Sequence, residues 1–162
     1  MAAQKITVKV LKEVNLFKGL TDEELAQVAK LCKQHSHKSG ECCVTQGMAA
    51  DEIHIVRKGR VGVESHMTNM PHGTSDIILA TLTDGEIFSW SALLRKKLTA
   101  TVRVVEPTKI IDINAEELLE LCEENCHIGY IVMKNLALVV SSRLTRHRLA
   151  FLSVVSSIGE GW

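Results

Sequence analysis

The middle of the chain alternates short apolar runs with glycines. Two segments rich in β-branched residues, 53–56 and 60–63, lie on either side of Arg57-Lys58-Gly59. Glycine tolerates the positive φ angles of tight turns, so this arrangement predicts a strand, a tight turn and a second strand. Further glycines punctuate the region at Gly40, Gly47 and Gly85. The pattern therefore predicts a series of short strands in this part of the chain.

Helical signals bracket the β-rich region. Thr21-Asp22-Glu23-Glu24 has the spacing of a capping box and predicts a helix to about Lys33. Asn114 is a suitable N-cap for a second helix, because acidic residues follow it in the first turn. A third helix is expected from about Cys126 and is far longer than the others.

The long C-terminal helix carries an apolar seam with alternating three- and four-residue spacing. Its members are Tyr130, Met133, Ala137, Val140, Leu144, His147, Phe151, Val154 and Ile158. A heptad pattern over four repeats favours a paired helix, hence a parallel homodimer. The alternative is a single buried helix. The seam continues past Arg143, Arg146 and Arg148, which would be awkward to bury in a monomer, so we favour the dimer. A second apolar face is expected to pack on the strands: Ile131, Val132, Leu136, Leu138 and Val139.

The length and charge of the chain argue against some classes of protein. A chain of 162 residues can bury a full core without metal or disulfide help. Nineteen basic and nineteen acidic residues give a formal net charge of zero, which argues against an extended nucleic-acid surface. No apolar run approaches the roughly 20 residues of a membrane span, and the N-terminus lacks an apolar signal core. We therefore expect a cytoplasmic protein without membrane contact.

The cysteines and histidines suggest no defined site. Five cysteines are an odd number, which suits reduced thiols. Cys122 and Cys126 are four residues apart with His127 beside them, and His35 and His37 form another loose pair, but no paired Cys-x-x-Cys occurs. No nucleophile elbow, metalloprotease helix or Walker loop is present either. The sequence therefore predicts no metal site, no catalytic residues and no enzyme activity.

One turn in the β-rich region carries candidate chemistry. Its sequence is Gly85-Glu86-Ile87-Phe88-Ser89-Trp90-Ser91-Ala92-Leu93-Leu94, and Arg95-Lys96-Lys97 follows. Ser89 is a suitable N-cap for a short helical turn, whose free N–H groups and partial positive charge attract anions. The three cations add longer-range attraction. The alternative is a solvated loop, because capped turns beside basic residues are common.

These residues together resemble the cyclic nucleotide-binding domain. The matching positions are Gly40-Glu41, Gly47, Ala50-Asp51, residues 53–59, Val61, Val63, Gly85-Glu86, Phe88, Ala92-Leu93-Leu94 and Thr99-Ala100-Thr101-Val102. The resemblance covers roughly residues 16–158. It implies an α+β, mainly β, fold with flanking helices: an antiparallel β-roll of jelly-roll type at about 34–113, and a C-terminal dimerisation helix at about 126–157. Residues 1–162 would form one domain, with 88–94 as the phosphate-binding cassette.

The cassette departs from the pattern of that family at two positions. Nucleotide-binding members usually have Phe-Gly-Glu where this chain has Phe88-Ser89-Trp90. The glutamate holds the ribose 2′-hydroxyl, and Trp90 cannot act as an acceptor. They also have an arginine for the cyclic phosphate where this chain has Leu98, or Lys97 if the loop shifts by one. Lysine lacks the bidentate fork of arginine. Some bacterial members share the Trp-Ser-Ala-Leu sequence, and this chain is similar to that branch.

The end of the long helix refines the resemblance. Arg148-Leu149-Ala150-Phe151-Leu152-Ser153-Val154 is similar to the dimerisation helix of the catabolite activator family of bacterial transcription regulators. A hinge and a helix-turn-helix domain follow in those proteins, and the chain leaves no room for them. We therefore expect the effector and dimerisation half of such a regulator, with no DNA contact of its own.

The resulting prediction is a homodimeric module that binds a small anionic effector such as a cyclic nucleotide. The predicted ligand site comprises Phe88, Ser89, Trp90, Ser91, Ala92, Leu93, Lys97, Leu98 and Thr99, with Ser141 and Ser142 at the height where family members touch the base. The predicted dimer interface comprises Tyr130, Met133, Ala137, Val140, Leu144, His147, Phe151 and Val154. Two alternatives remain: a haem or redox sensor using the cysteines and histidines, although no haem-attachment motif occurs, and a ligand-free dimerisation scaffold.

Overall fold

The structure is a computed structural model that describes residues 6–70 and 73–159. Its helices are α1 (Val8–Leu11), α2 (Asp22–Leu31), α3 (Ala115–Glu124) and α4 (Cys126–Gly159). Its strands are β1 (Cys32–His37), β2 (Cys42–Val44), β3 (Glu52–Met70), β4 (Gly73–Leu82), β5 (Ile87–Phe88) and β6 (Thr101–Asn114). Short 3₁₀ turns occupy Asn15–Phe17 and Trp90–Leu94. The predicted order, helices around a β-rich centre, is confirmed.

Strand β6 organises the sheet. It pairs with β1 through residues 108–113, with β2 near Arg103, and with β3 along most of its length. At its other edge, β3 pairs with β5 over His54 and Ile55 and with β4 from Val61 onward. All of these pairings are antiparallel, as expected for the β-roll. Because β5 ends at the buried Phe88, the turn that follows begins inside the roll.

Gly59 does not form the predicted tight turn. Strand β3 runs from Glu52 to Met70 without reversing, so the prediction of two strands joined by a turn is wrong. Both parts pair with β6, and the register shifts around residue 59. Gly59 has φ +120°, and a Cβ there would lie 2.4 Å from the Thr108 Oγ1 atom. The glycine therefore permits a close approach between β3 and β6 at an irregular point of the ladder.

The two predicted helix caps, Thr21 and Asn114, are confirmed, and α4 begins at Cys126 as predicted. The Thr21 hydroxyl accepts a hydrogen bond from the Glu24 N–H, and the Glu24 carboxylate accepts one from the Thr21 N–H at 2.9 Å, which completes the capping box. Asn114 Oδ1 accepts a hydrogen bond from the Glu117 N–H at 3.0 Å. Helix α2 ends at Leu31 rather than near Lys33, because Cys32 already pairs with Ile113 in the sheet.

Helix α4 is packed in its first half and exposed in its second. Val132 and Leu136 belong to the main apolar core, and Asn135 Nδ2 donates hydrogen bonds to the Leu16 and Lys18 carbonyls at 3.0 and 2.9 Å. Leu138 was expected to pack on the strands, but it is 60% exposed because it lies over a groove at the helix surface. Within the described ranges, no helix has the length and apolar character needed to cross a bilayer.

Candidate ligand-binding site

The turn that follows β5 is the candidate site. Ser89 precedes the 3₁₀ turn Trp90–Leu94, but its φ of 58° and ψ of 25° lie in the left-handed region and its side chain makes no capping bond. The prediction that Ser89 caps this turn is therefore wrong, because a capping serine needs an extended backbone to reach the free N–H groups. Arg95, at the other end, is also left-handed with φ 51°. The turn is thus bracketed by two strained residues.

A cavity of about 60 Å³ lies against this turn. The predicted ligand residues that line it are Phe88, Ser89, Trp90, Ser91, Leu98 and Thr99. Sites for small molecules usually measure about 300–1,000 Å³. In this conformation the cavity therefore accommodates a group of a few heavy atoms rather than a whole nucleotide.

The remaining predicted ligand residues lie elsewhere. Lys97 is exposed and lines a different cavity of about 490 Å³, together with Arg95 and Lys96. Ala92 and Leu93 are buried in the main apolar core, and Ala92 also borders that larger cavity. Ser141 and Ser142 are exposed, and Ser142 lines a third cavity of about 290 Å³. The turn and the predicted helix serines are therefore not brought into one cavity.

Arg143 is the residue that sequence reasoning missed. It extends from α4, lines the 60 Å³ cavity and donates a hydrogen bond through Nη2 to the Ile87 carbonyl. Burial lowers the pKa of its guanidinium, which the Glu86 carboxylate partly opposes. Arg143 is half-buried within a single chain, with the Ile87 carbonyl of β5 as its partner, so its charge alone does not decide between a monomer and a dimer. Its place beside Ser142 was the sole signal in the sequence.

Two buried polar atoms of this site have no hydrogen-bond partner among the residues that the structure describes. They are the Ser89 hydroxyl oxygen and Arg143 Nε. Both residues line the same cavity. Buried polar atoms in folded proteins are usually paired, and exceptions occur at functional sites or where an ion or water is bound. The arrangement can therefore donate hydrogen bonds to a small anionic or polar group placed between the turn and α4.

A histidine–aspartate–histidine network lies next to Phe88. The His54 ring stacks on Phe88 with a centroid distance of 4.8 Å. Asp112 forms hydrogen bonds with His54 Nδ1 at 2.7 Å and with His35 Nδ1 at 2.5 Å. Burial raises the pKa of Asp112, but the bonds from the two histidines outweigh burial and hold that pKa below its usual value. Asp112 is therefore ionised at neutral pH and anchors the strand that supports Phe88.

Three of the five cysteines do not favour the redox alternative. Burial raises the pKa of the Cys32 thiol to about 12 and raises that of Cys122. Burial, together with the nearby Cys42, Asp112 and Glu41, also raises the pKa of Cys43 to about 12. The thiolate is the reactive form of cysteine, so these three thiols stay protonated at neutral pH. Over the described ranges, no group of three or more histidine, cysteine, aspartate or glutamate side chains is arranged so that it could hold a metal ion.

The sequence of this chain is similar to a known domain family and to known proteins. A model of the cyclic nucleotide-binding domain matches residues 34–125. Glutaminase 1 of Bradyrhizobium diazoefficiens is 31% identical over 134 residues, which cover 83% of this chain and 21% of that enzyme. The chain therefore spans about a fifth of the length of this curated relative.

Solved structures share the architecture. A cyclic nucleotide-binding protein from Geobacter metallireducens is similar with a TM-score of 0.71 and 27% identity, covering 86% of this chain and 98% of that one. The catabolite activator protein of Thermus thermophilus is similar with a TM-score of 0.70 and 26% identity, covering 88% of this chain and 63% of that protein. Both likenesses extend over the roll and the helices around it.

Proposed function

This chain belongs to the cyclic nucleotide-binding domain family, of the type found in the catabolite activator and fumarate–nitrate regulators, and we propose that it is an effector-binding and dimerisation module. The effector is a small anionic molecule such as a cyclic nucleotide. It binds against the turn at residues 88–94, and its binding shifts the long helix between two arrangements. The module serves a bacterial transcription regulator.

The observation that carries the proposal is the cavity shared by the turn and α4. Residues from both elements line it, so a molecule bound there touches the turn and the helix at once. The two unpaired polar atoms in its walls favour a ligand with hydrogen-bonding oxygens. Burying a polar atom without a partner destabilises a fold, so a scaffold that binds no ligand would be more stable without these two atoms.

Cyclic AMP is expected to bind weakly. Trp90 cannot accept a hydrogen bond from the ribose hydroxyl, and Leu98 brings no charge to the cavity. Each missing charge-assisted bond is worth about 1.5–3 kcal/mol, so two missing bonds reduce affinity by roughly two to four orders of magnitude. Titration calorimetry with cyclic AMP tests this, and the double variant Trp90→Glu/Leu98→Arg is expected to bind more tightly. Submicromolar binding by the unmodified chain would contradict the assignment.

Dimerisation is proposed through the exposed face of α4. Tyr130 is 64% exposed and Leu144 and Phe151 are each 68% exposed, although all three are large and apolar. Val140 is partly buried against the core of its own chain, so the exposed members of the seam carry most of the proposed contact. The side chain of Val154 lies outside the described residues. Together with the predicted seam residues Met133, Ala137 and His147, this surface fits a second copy of the same helix.

The dimer is tested by measuring mass in solution. Light scattering is expected to give twice the chain mass of 17.9 kDa. Leu144→Glu is expected to give the monomer, because it places like charges across an apolar seam. Ser142→Glu is the matched control, since it adds the same charge two residues away outside the seam. A monomeric unmodified chain at high concentration would refute the dimer and leave the ligand site to be judged by calorimetry.

A further inference from the structure

Arg143 is a half-buried cation that donates a hydrogen bond to a neutral partner. Its guanidinium donates to the Ile87 carbonyl, and its Nε is buried without a partner. No carboxylate among the described residues lies within ion-pair distance of it. Removing a charge from water without pairing it with an opposite charge is unfavourable. The fold therefore carries an electrostatic cost at this position.

The nearest carboxylate is already engaged with other groups. Glu86 Oε1 pairs with Arg146 at 3.5 Å, and Glu86 Oε2 accepts a hydrogen bond from the Thr83 N–H at 2.9 Å. Arg146, one turn of the helix beyond Arg143, is half-exposed, so the two cations differ in burial and in pairing. What the site lacks is an anion on the cavity side of Arg143.

We propose that Arg143 is the residue that binds the anionic group of the effector, in concert with the Ser89 hydroxyl. This proposal rests on the proposed function. A guanidinium presents parallel N–H groups that match two oxygens of a phosphate or carboxylate, and such bonds are stronger than those to a neutral carbonyl. A cavity of about 60 Å³ has room for a few water-sized groups, which suits an oxyanion. The ligand's oxyanion replaces the Ile87 carbonyl as the partner of Arg143.

The position of Arg143 also explains where the parts of the effector other than its anionic group would lie. Arg143 lines both the 60 Å³ cavity and the neighbouring 290 Å³ cavity, which Lys18 and Ser142 also line. Turning the guanidinium toward the anion frees the space between the two cavities. The larger parts of an effector then lie beside Ser142, and the anion is bonded directly to the helix proposed to form the dimer.

The test uses the full chain and the nitrogen-attached proton signal of the Arg143 Nε in NMR spectra. A buried Nε–H exchanges slowly with water, and its signal is assigned by its loss in Arg143→Lys. Titration with cyclic AMP, and separately with inorganic phosphate, is expected to shift this signal. Calorimetry with the same two probes is expected to show that Arg143→Met binds them about 10- to 150-fold more weakly than the unmodified chain. This loss is the equivalent of about 1.5–3 kcal/mol. Arg148→Met is the matched control, because Arg148 is exposed on the same helix and lines neither cavity, and it is expected to change affinity less than about threefold.

The outcomes separate this proposal from the proposed function. Shifts at the 88–94 turn with an unmoved Arg143 signal would overturn the role of Arg143 and keep the effector site. A phosphate-induced shift of the Arg143 signal without any response to cyclic AMP would support the oxyanion site and count against a cyclic nucleotide effector. No response to either probe would overturn both.

A measurement without ligand adds an independent check. Removing a half-buried charge that has no ion-pair partner is expected to stabilise the ligand-free fold, so Arg143→Met should unfold at a higher urea concentration than the unmodified chain. Arg146→Met is expected to leave the midpoint nearly unchanged because its ion pair is exposed to solvent. A lower midpoint for Arg143→Met would show that the Ile87 bond is structural and would overturn the proposal.

Discussion

Two polar regions lie on either side of Phe88, and they differ in how completely their groups are paired. In the network of His54, Asp112 and His35, both carboxylate oxygens of the buried aspartate have hydrogen-bond partners. At the turn of residues 88–94, the buried Ser89 hydroxyl and the Arg143 Nε that shares its cavity have no such partner within the described part of the chain. The first region therefore stabilises the fold, and the second is left ready for a group from outside.

Backbone strain also distinguishes the two regions, because it lies at the turn and not in the histidine–aspartate network. Among the described residues, the non-glycine residues with positive φ are Ser89 and Arg95, which bracket the turn. Such residues cost roughly 1–2 kcal/mol each and persist where the surrounding structure holds them. Because strain and unpaired polar atoms coincide at one turn, substitutions there should have the opposite sign from substitutions in the network. Two predictions test that contrast.

The larger effect is expected in the network. Asp112→Asn replaces a buried carboxylate that bonds to His54 and His35, so the free energy of unfolding at pH 7 is expected to fall by about 2–3 kcal/mol. Urea titration measures the loss. The control is Asp76→Asn, because Asp76 also pairs with a histidine, His66, at 2.8 Å but is exposed. The free energy of unfolding of Asp76→Asn is expected to be lower than that of the unmodified chain by less than about 1 kcal/mol.

The pH dependence of the Asp112 effect has a definite sign. The pKa of this carboxyl is lowered in the folded state, so its stabilising contribution is complete above the unfolded pKa of about 3.9. It is lost as the pH falls through the folded pKa. The difference between the unmodified chain and Asp112→Asn is therefore expected to shrink as the pH falls below about 4. A constant difference at all pH values would show that the charge of Asp112 is not what matters.

The smaller effect is expected at the turn, with the opposite sign. Ser89→Gly removes a left-handed serine and an unpaired buried hydroxyl, and it is expected to raise the free energy of unfolding by up to about 1 kcal/mol. Lys96→Gly is the control, since Lys96 does not have a positive φ and glycine there should be neutral or destabilising. A loss of stability in Ser89→Gly would mean that the hydroxyl is used in the folded state, and the contrast between the two regions would fail.

Features set by neighbours along the chain could be predicted from the sequence. The Thr21–Glu24 capping box and the Asn114 cap depend on residues three positions apart, and the structure has both. Gly59 and Ser89 were misassigned because the sequence shows which residue is present but not the strand or backbone conformation it meets. Arg143 was missed for the same reason, since its partner Ile87 is 56 residues away along the chain. The site residues are thus the ones defined by contacts between distant segments.

The place of β6 in the sheet has a consequence for how this chain folds during synthesis. β1, β2 and β3 all pair with β6, although β6 is the last strand to be made. Ribosomes add about 5–20 residues per second, so several seconds pass between the emergence of β1 and the arrival of its partner. Before β6 emerges, the pairings of β3 with β4 and with β5 are the parts of the sheet whose strands are both available. Nascent chains stalled before Asn114 are expected to remain sensitive to protease, and those that have exposed α3 and the start of α4 to become resistant.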